Sequence, residues 1–327
     1  MKRRAVVCLA GGAALGAALP TLAQPQRVMR LGVLGNVPAS PVPTWPVLWF
    51  FDELARLGWE NGQNLAIESR YAMNDPQRYH AFAAELVAAQ VDVIYAPGDD
   101  ALEAAYKTTK TIPIVTIAAA PVELGYAKSL ARPGGNVTGV VFQPLDFIGK
   151  SFEILRALRP DLRRVGISHR PGHPLSDVWV KTWQAVAGGQ GATMVALPFV
   201  RNLADIEPML VIAKREGVQA LVGEGPVPIL LGSGFEKIQS WATENKVLTY
   251  GTTWVRGEHL VSFGADPWEI RRIAIGHIDR ILRGSKPADI PIEQPTKFEL
   301  VFNRKIARAM GIAIPRSVLL QATEVID

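Results

Sequence analysis

Short apolar runs alternate with segments whose apolar residues recur at helical spacing, and the alternation starts near residue 29. Met29–Gly35, Leu65–Tyr71, Val91–Ala96 and Ile112–Ile117 read as buried strands bounded by turn residues. Between them lie a helix through Trp49, Leu54 and Leu57 and a second through Ala101–Lys107. The clearest helix has Asp75 as cap, Pro76 in its first turn, and Tyr79, Phe82, Ala83, Leu86 and Val87 on one face. Strands separated by helices predict right-handed βαβ units and a parallel sheet.

Leu130-Ala131-Arg132-Pro133-Gly134-Gly135-Asn136-Val137-Thr138-Gly139 ends this first unit. Pro and Gly break the preceding segment, and Val137–Phe142 begins another buried strand, so the stretch reads as a structural corner. The plan then restarts. Helices are expected at Ile148–Leu158, Trp179–Val186, Ile206–Arg215 and Phe235–Thr243, and extended segments at Arg164–Ser168, Met194–Leu197, Val218–Gly223 and Val247–Tyr250. The stretch Leu86–Gly98 is echoed by Ile212–Gly225, which supports two lobes of related topology.

The tail does not simply extend the second lobe. Asp266, Pro267 and Glu269 form a capping-box pattern ahead of a helix with Ile270, Ile273, Ala274, His277 and Ile281 on its apolar face. Lys286–Pro295 is extended and proline-rich, and Phe298–Val301 reads as a strand. Such long passages around one helix fit a chain that returns to lobe one and leaves again, giving three crossings. The expected division is 28–143 with 256–285 for lobe one, and 144–255 with 286–327 for lobe two.

The chain has 327 residues, 48% of them apolar, enough for two globular units. Residues 1–23 read as a cleavable secretory signal: basic Lys2, Arg3 and Arg4, apolar Ala5–Leu19, and small-residue Thr21-Leu22-Ala23. A periplasmic location is therefore expected. Cys8, the lone cysteine, lies inside that signal, which leaves the mature chain without disulfides, thiolate ligands or a cysteine nucleophile. Removing the three basic residues takes the net charge from +5 to 5 − 3 = +2. No basic cluster is interleaved with aromatics, so no nucleic-acid partner is expected.

Three stretches resemble one family. Leu130–Gly139, Leu57–Glu68 and Lys286–Val301 are similar to signatures of ABC-transporter substrate-binding proteins of the tryptophan/tyrosine-binding type. The resemblance, which runs from about Arg30 to Asp327, implies an α/β type I periplasmic-binding fold, each lobe a parallel sheet flanked by helices. It also implies a monomer that captures an amino acid or related small organic solute and docks on an inner-membrane ABC permease. The alternative is a periplasmic sensor that presents its ligand to a receptor or sensor kinase.

No nucleophile elbow, HExxH, Walker loop or dinucleotide fingerprint is present, so neither enzymatic activity nor a cofactor is expected. His169 and His173 are the nearest pair to metal ligands, but no third ligand accompanies them, and no metal is expected. His277 on its apolar face reads as a core histidine. In parallel sheets ligands lie beyond the carboxyl ends of the strands. Those ends give Asn36, Gly98, Asp99, Asp100, Ala120 and Pro121 in lobe one, and His169, Glu224, Gly225, Tyr250 and Thr252 in lobe two. Trp254 and Phe263 lie near a crossing and could stack on a flat ligand. Asp99 and Asp100 read equally as helix N-caps, and Trp49 as a core residue. Two departures from the resembled family bear on ligand charge: Ala120-Pro121 replaces its usual Asp-Pro, and Gly98-Asp99-Asp100 its usual Gly-Thr-Pro.

Overall fold

A computed structural model describes residues 27–36, 45–73, 75–142, 145, 147–223, 233–253 and 257–327. The predicted signal, with Cys8, lies outside them, as do Glu224, Gly225 and Trp254. No helix among the described residues is long and apolar enough to cross a membrane.

The chain runs β1 (Met29–Gly35), α1 (Trp45–Arg56), β2 (Leu65–Tyr71), α2 (Pro76–Ala88), β3 (Val93–Pro97), α3 (Asp99–Thr108), β4 (Ile114–Ala118) and β5 (Val137–Val141). It continues with α4 (Phe147–Leu158), β6 (Arg164–His169), α5 (Pro174–Gly189), β7 (Thr193–Pro198), α6 (Ile206–Arg215), β8 (Ala220–Val222), α7 (Ser233–Asn245) and β9 (Leu248–Gly251). The tail holds β10 (Val261–Ala265), α8 (Pro267–Leu282), β11 (Phe298–Asn303), α9 (Arg304–Met310), α10 (Arg316–Leu319) and β12 (Glu324–Ile326).

Two sheets result. The first is fully parallel, in the order β2-β1-β3-β4-β5. The second has the order β12-β11-β10-β9-β8-β6-β7, with only the β10–β11 pair antiparallel. Helices cover both faces of the first sheet: Leu31, Val33, Val93 and Val115 pack on α1 and α8, while Leu34, Ile94 and Ile114 pack on α2 and α3. In the second lobe Phe152, Trp179 and Trp183 fill one core beside Tyr250 and Phe302. The α/β architecture of parallel sheets flanked by helices agrees with the sequence reading.

The corner stretch is a structural device. Asn136, buried, donates from Nδ2 to the carbonyls of Thr109 (3.1 Å) and Ile112 (2.9 Å), closing the turn before β4. The buried Thr138 hydroxyl donates to the Ile290 carbonyl at 2.8 Å. Ile292 N–H donates to Leu130, Gly134 N–H to Ala288, and Glu293 N–H to Gly139. Two of the sequence stretches that carry the family resemblance are thus bonded to one another.

Three crossings join the lobes, between β5 and α4, between β10 and α8, and between residue 293 and β11. Residues 256–285, assigned as a block to lobe one, divide: β10 pairs with β9 and β11, and α8 packs on β3, β4 and β5. Residues 286–293, assigned to lobe two, lie along the first sheet, with Val140 bridged to Glu293. The reason is local: β10 continues the hydrogen-bonding edge that β9 offers, so the chain leaves lobe two only at Asp266. Phe147, Phe263 and Phe298, one from each crossing, pack together, with ring centroids 5.8 Å (Phe147–Phe263) and 4.3 Å (Phe147–Phe298) apart.

Asp266 caps α8 as expected, accepting from Trp268 N–H (2.8 Å) and Glu269 N–H (3.4 Å). The reciprocal half of the capping box does not form. Glu269 instead accepts from Thr296 N–H (3.1 Å), Thr296 Oγ1 (2.7 Å) and Lys297 N–H (2.8 Å), and Asp266 N–H donates to the Lys297 carbonyl (2.9 Å). The second and third crossings are thereby strapped together.

Candidate functional site

The carboxyl ends of β3 and β4 lie on one side of the junction where the two lobes meet. β3 ends at Pro97, and Gly98 turns the chain into α3 at φ +100°, a conformation that favours glycine. Its N–H donates to the Ile117 carbonyl at 2.8 Å, holding the ends of β3 and β4 side by side. Asp99 and Asp100 then occupy the first helical turn, where the free N–H groups and helix dipole favour negative charge.

The two carboxylates have different surroundings. Asp99 accepts from Ala119 N–H at 3.2 and 3.4 Å, so it ties α3 to the end of β4. Burial first, and the charge of Asp100 beside it, push its pKa up to about 7, against the pull of the backbone donors. Asp100 reaches the other lobe: Arg170 Nη2 lies 2.6 Å from its Oδ1, Arg170 Nη1 3.4 Å from Oδ2, and His173 Nε2 2.9 Å from Oδ1. Neither aspartate is the N-cap. That position is Gly98, which has no side chain to cap with.

The facing side is built by the turn from β6 into α5. His173 is the N-cap of α5, its ring accepting from Ser176 N–H, and Ser176 Oγ accepts from Arg170 N–H at 2.9 Å. His169, at the end of β6, meets Asp177 through Nε2 at 2.9 Å. The two histidines therefore turn to different carboxylates and do not form a pair. Asp100, Glu103 and His173 place one ligand atom each within 4.8 Å of one another. Arg170 already holds Asp100 and Lys107 Nζ holds Glu103 at 2.6 Å, so the cluster is charge-balanced by side chains. Tyr79 on α2 is buried beside this group, and desolvation, with the Asp100 charge next, raises its pKa above the ordinary phenol value.

Other expected residues lie elsewhere. Asn36 is half-buried just past β1, and Ala120 and Pro121 are buried in the turn after β4. Tyr250 is 1% exposed in the second core, its hydroxyl paired with Ser151, so it faces Trp183 and not the cleft. Thr252 is buried too, with an Oγ1 that has no partner among the described residues. Phe263 is 8% exposed and lies in the second core against Phe147, which leaves no face open for stacking on a ligand. His277 pairs with Glu293 through Nε2 at 2.9 Å, while its Nδ1 is buried without a partner among the described residues; burial lowers its pKa. Trp49 is half-buried, edge-on to Trp268 at 4.9 Å. Sequence reasoning passed over Tyr79, Ser151 and Ser176, whose apolar-face or helix-turn positions gave no signal of a polar role.

A model of the family described as ABC transporter substrate binding protein matches residues 48–326. A "Tyrosine-binding protein" of Clostridioides difficile is 26% identical over 273 residues, 80% of this chain and 75% of the relative. Among solved structures, the ABC domain of a Streptococcus pneumonia protein in complex with L-tryptophan gives a TM-score of 0.78 at 26% identity, covering 91% of this chain and 99% of that one. A conserved domain protein of Vibrio cholerae gives 0.79 at 24% identity, covering 91% and 100%. These neighbours share the two-lobed type I periplasmic-binding fold.

Proposed function

The chain belongs to the ABC transporter substrate binding protein family, and on that premise we propose that it captures an amino acid or related small organic solute between its lobes and delivers it to a membrane permease. The observation that carries this reading is the meeting of the lobes at the starts of α3 and α5, where Asp100 bonds Arg170 and His173. Strand ends of both lobes lie beside it, and a half-buried acid, Asp99, stands at the start of α3. The tyrosine-binding and tryptophan-bound relatives support an amino-acid-like ligand. Asp99 puts a carboxyl group where the resembled family's Gly-Thr-Pro has Thr, and with Asp100 held by Arg170 it favours a ligand with a cationic or hydrogen-bond-donating group on this side.

Closure of the lobes about the three crossings sequesters the solute, and a permease recognises the closed, loaded form. The proposed location is the periplasm, reached through the signal at residues 1–23; N-terminal sequencing of exported protein should give residue 24, and an intact residue 1 would refute it. Thermal unfolding against amino acids, aromatic acids, sugars and small carboxylates tests capture. A ligand bound only by the folded form raises the midpoint with concentration. One responsive class is expected; no response across the panel would count against capture and favour a sensing role with an untested ligand.

A further inference from the structure

Asp100 and Arg170 stand on opposite lobes, 70 residues apart in sequence, and meet through two guanidinium nitrogens and both carboxylate oxygens. We propose that Asp100, Arg170 and His173 form a clasp that holds the cleft shut without a ligand.

The parts on the second lobe are positioned before the lobes meet. Ser176 Oγ accepts the Arg170 N–H, and His173 N–H donates to the Arg170 carbonyl at 3.1 Å, so the turn that carries both donors is fixed from inside. His173 Nδ1 accepts from Ser176 N–H, which leaves its Nε2–H as the donor to Asp100. The guanidinium lies over the Phe199 ring at 5.6 Å, and Tyr79 is buried beside the carboxylate. Asp100 keeps 30% of its side-chain surface, Arg170 26% and His173 14%, so the contact is shielded but not sealed. Charge-assisted, two-pronged pairs of this kind are stronger than ordinary surface pairs and hold a defined geometry. Asp99 takes no part. The acid that could read a ligand and the acid that fastens the lobes are adjacent but separate.

The clasp requires no ligand, so its test stands apart from the proposed function. Cysteines placed at the exposed Gln77 on α2 and Lys181 on α5, in a Cys8→Ser background, carry spin labels for distance measurement on protein refolded free of small molecules. The wild-type sequence is expected to give one short distance that lengthens in 1 M salt, because exposed charges are screened there. Arg170→Gln and Asp100→Asn should each lower the closed population about tenfold or more, and the exchange Asp100→Arg with Arg170→Asp should restore it in part. Circular dichroism confirms that each variant is folded. Equal distance distributions in wild type and both single variants would overturn the clasp, whether open or closed. Opening of the wild type by a chelator would overturn it as well, since a cation on Asp100, Glu103 and His173 would then be the fastener. Singles that open but are not rescued by the charge exchange would show that the side chains act through folding of the turn and not on each other.

Discussion

Gly139 offers the sharpest test of how the corner stretch works. It sits in β5 at φ +146°, opposite Thr116 of β4. A Cβ there would fall onto the Thr116 carbonyl oxygen and lie 2.7 Å from its nitrogen, both backbone atoms in the middle of a parallel sheet. Gly139→Ala therefore combines a backbone conformation costing about 1–3 kcal/mol with overpacking costing about 1–3 kcal/mol. The sum, about 4 kcal/mol, is a large part of the 5–15 kcal/mol that holds an ordinary domain together. Part of it reaches the third crossing, because Glu293 N–H donates to the Gly139 carbonyl. Urea unfolding followed by circular dichroism measures the change, with Gly58→Ala as comparison: Gly58 also has positive φ, +89°, but its added Cβ meets nothing within 4 Å. The alanine at 58 should cost only the backbone share, roughly 1 kcal/mol. Equal losses at the two positions, or a Gly139→Ala protein within about 1 kcal/mol of wild type, would refute the close-approach argument.

Other predictions follow from single contacts. Glu269→Ala removes the acceptor for three donors of the third crossing and should cost about 1–3 kcal/mol in chemical unfolding, whereas a surface glutamate such as Glu123 should cost almost nothing on the same change. Burial against Phe235 holds the His259 pKa down at about 4, below the unfolded 6.5, so the unfolded chain takes the extra proton between those values. Stability should therefore fall as pH drops from 6.5 to 4, and His259→Gln should flatten that limb; an unchanged limb would contradict the burial. Asp99 acts in the opposite sense. Its folded pKa of about 7 exceeds the unfolded 3.8, so it contributes stability in acid that is lost as pH rises through 7. Asp99→Asn should gain on wild type as pH goes from 5 to 8, read as a growing difference in unfolding midpoint; a constant difference would sink this.

Strands were legible because a strand buried on both faces reads as a near-continuous apolar run, as Val93–Pro97 does and Ile114–Ala118 does apart from Thr116. The caps Asp75 and Asp266 were legible because a cap is a local bond between near neighbours. Long-range partners were not. Glu269 has the spacing of a capping box, yet Thr296 and Lys297 from a distant segment outbid the local donor. The start of α5 was hidden because Pro-Gly-His-Pro reads as loop, while His173 caps the helix and Pro174 opens it. Strand ends pointed to Asp99, Asp100 and His169 as neighbours of the cleft, but period and spacing carry no information on what lies across it. Arg170 as the partner of Asp100 becomes visible only when the lobes are assembled. Tyr250 and Phe263 failed as cleft residues for a related reason: each occupies a strand whose side chains alternate between faces, and the structure turns both into the core.

The proposed function rests on capture of one small amino-acid-like solute between two closing lobes. The most direct measurement is titration calorimetry of the ligand-free protein with L-tryptophan, L-tyrosine and the remaining amino acids, repeated at two temperatures. Saturable 1:1 binding by one chemical class is expected, with a negative heat-capacity change from buried apolar surface and weakened affinity in Asp99→Asn. Absence of saturable heat for every amino acid and related acid, from a protein that unfolds cooperatively, would contradict it.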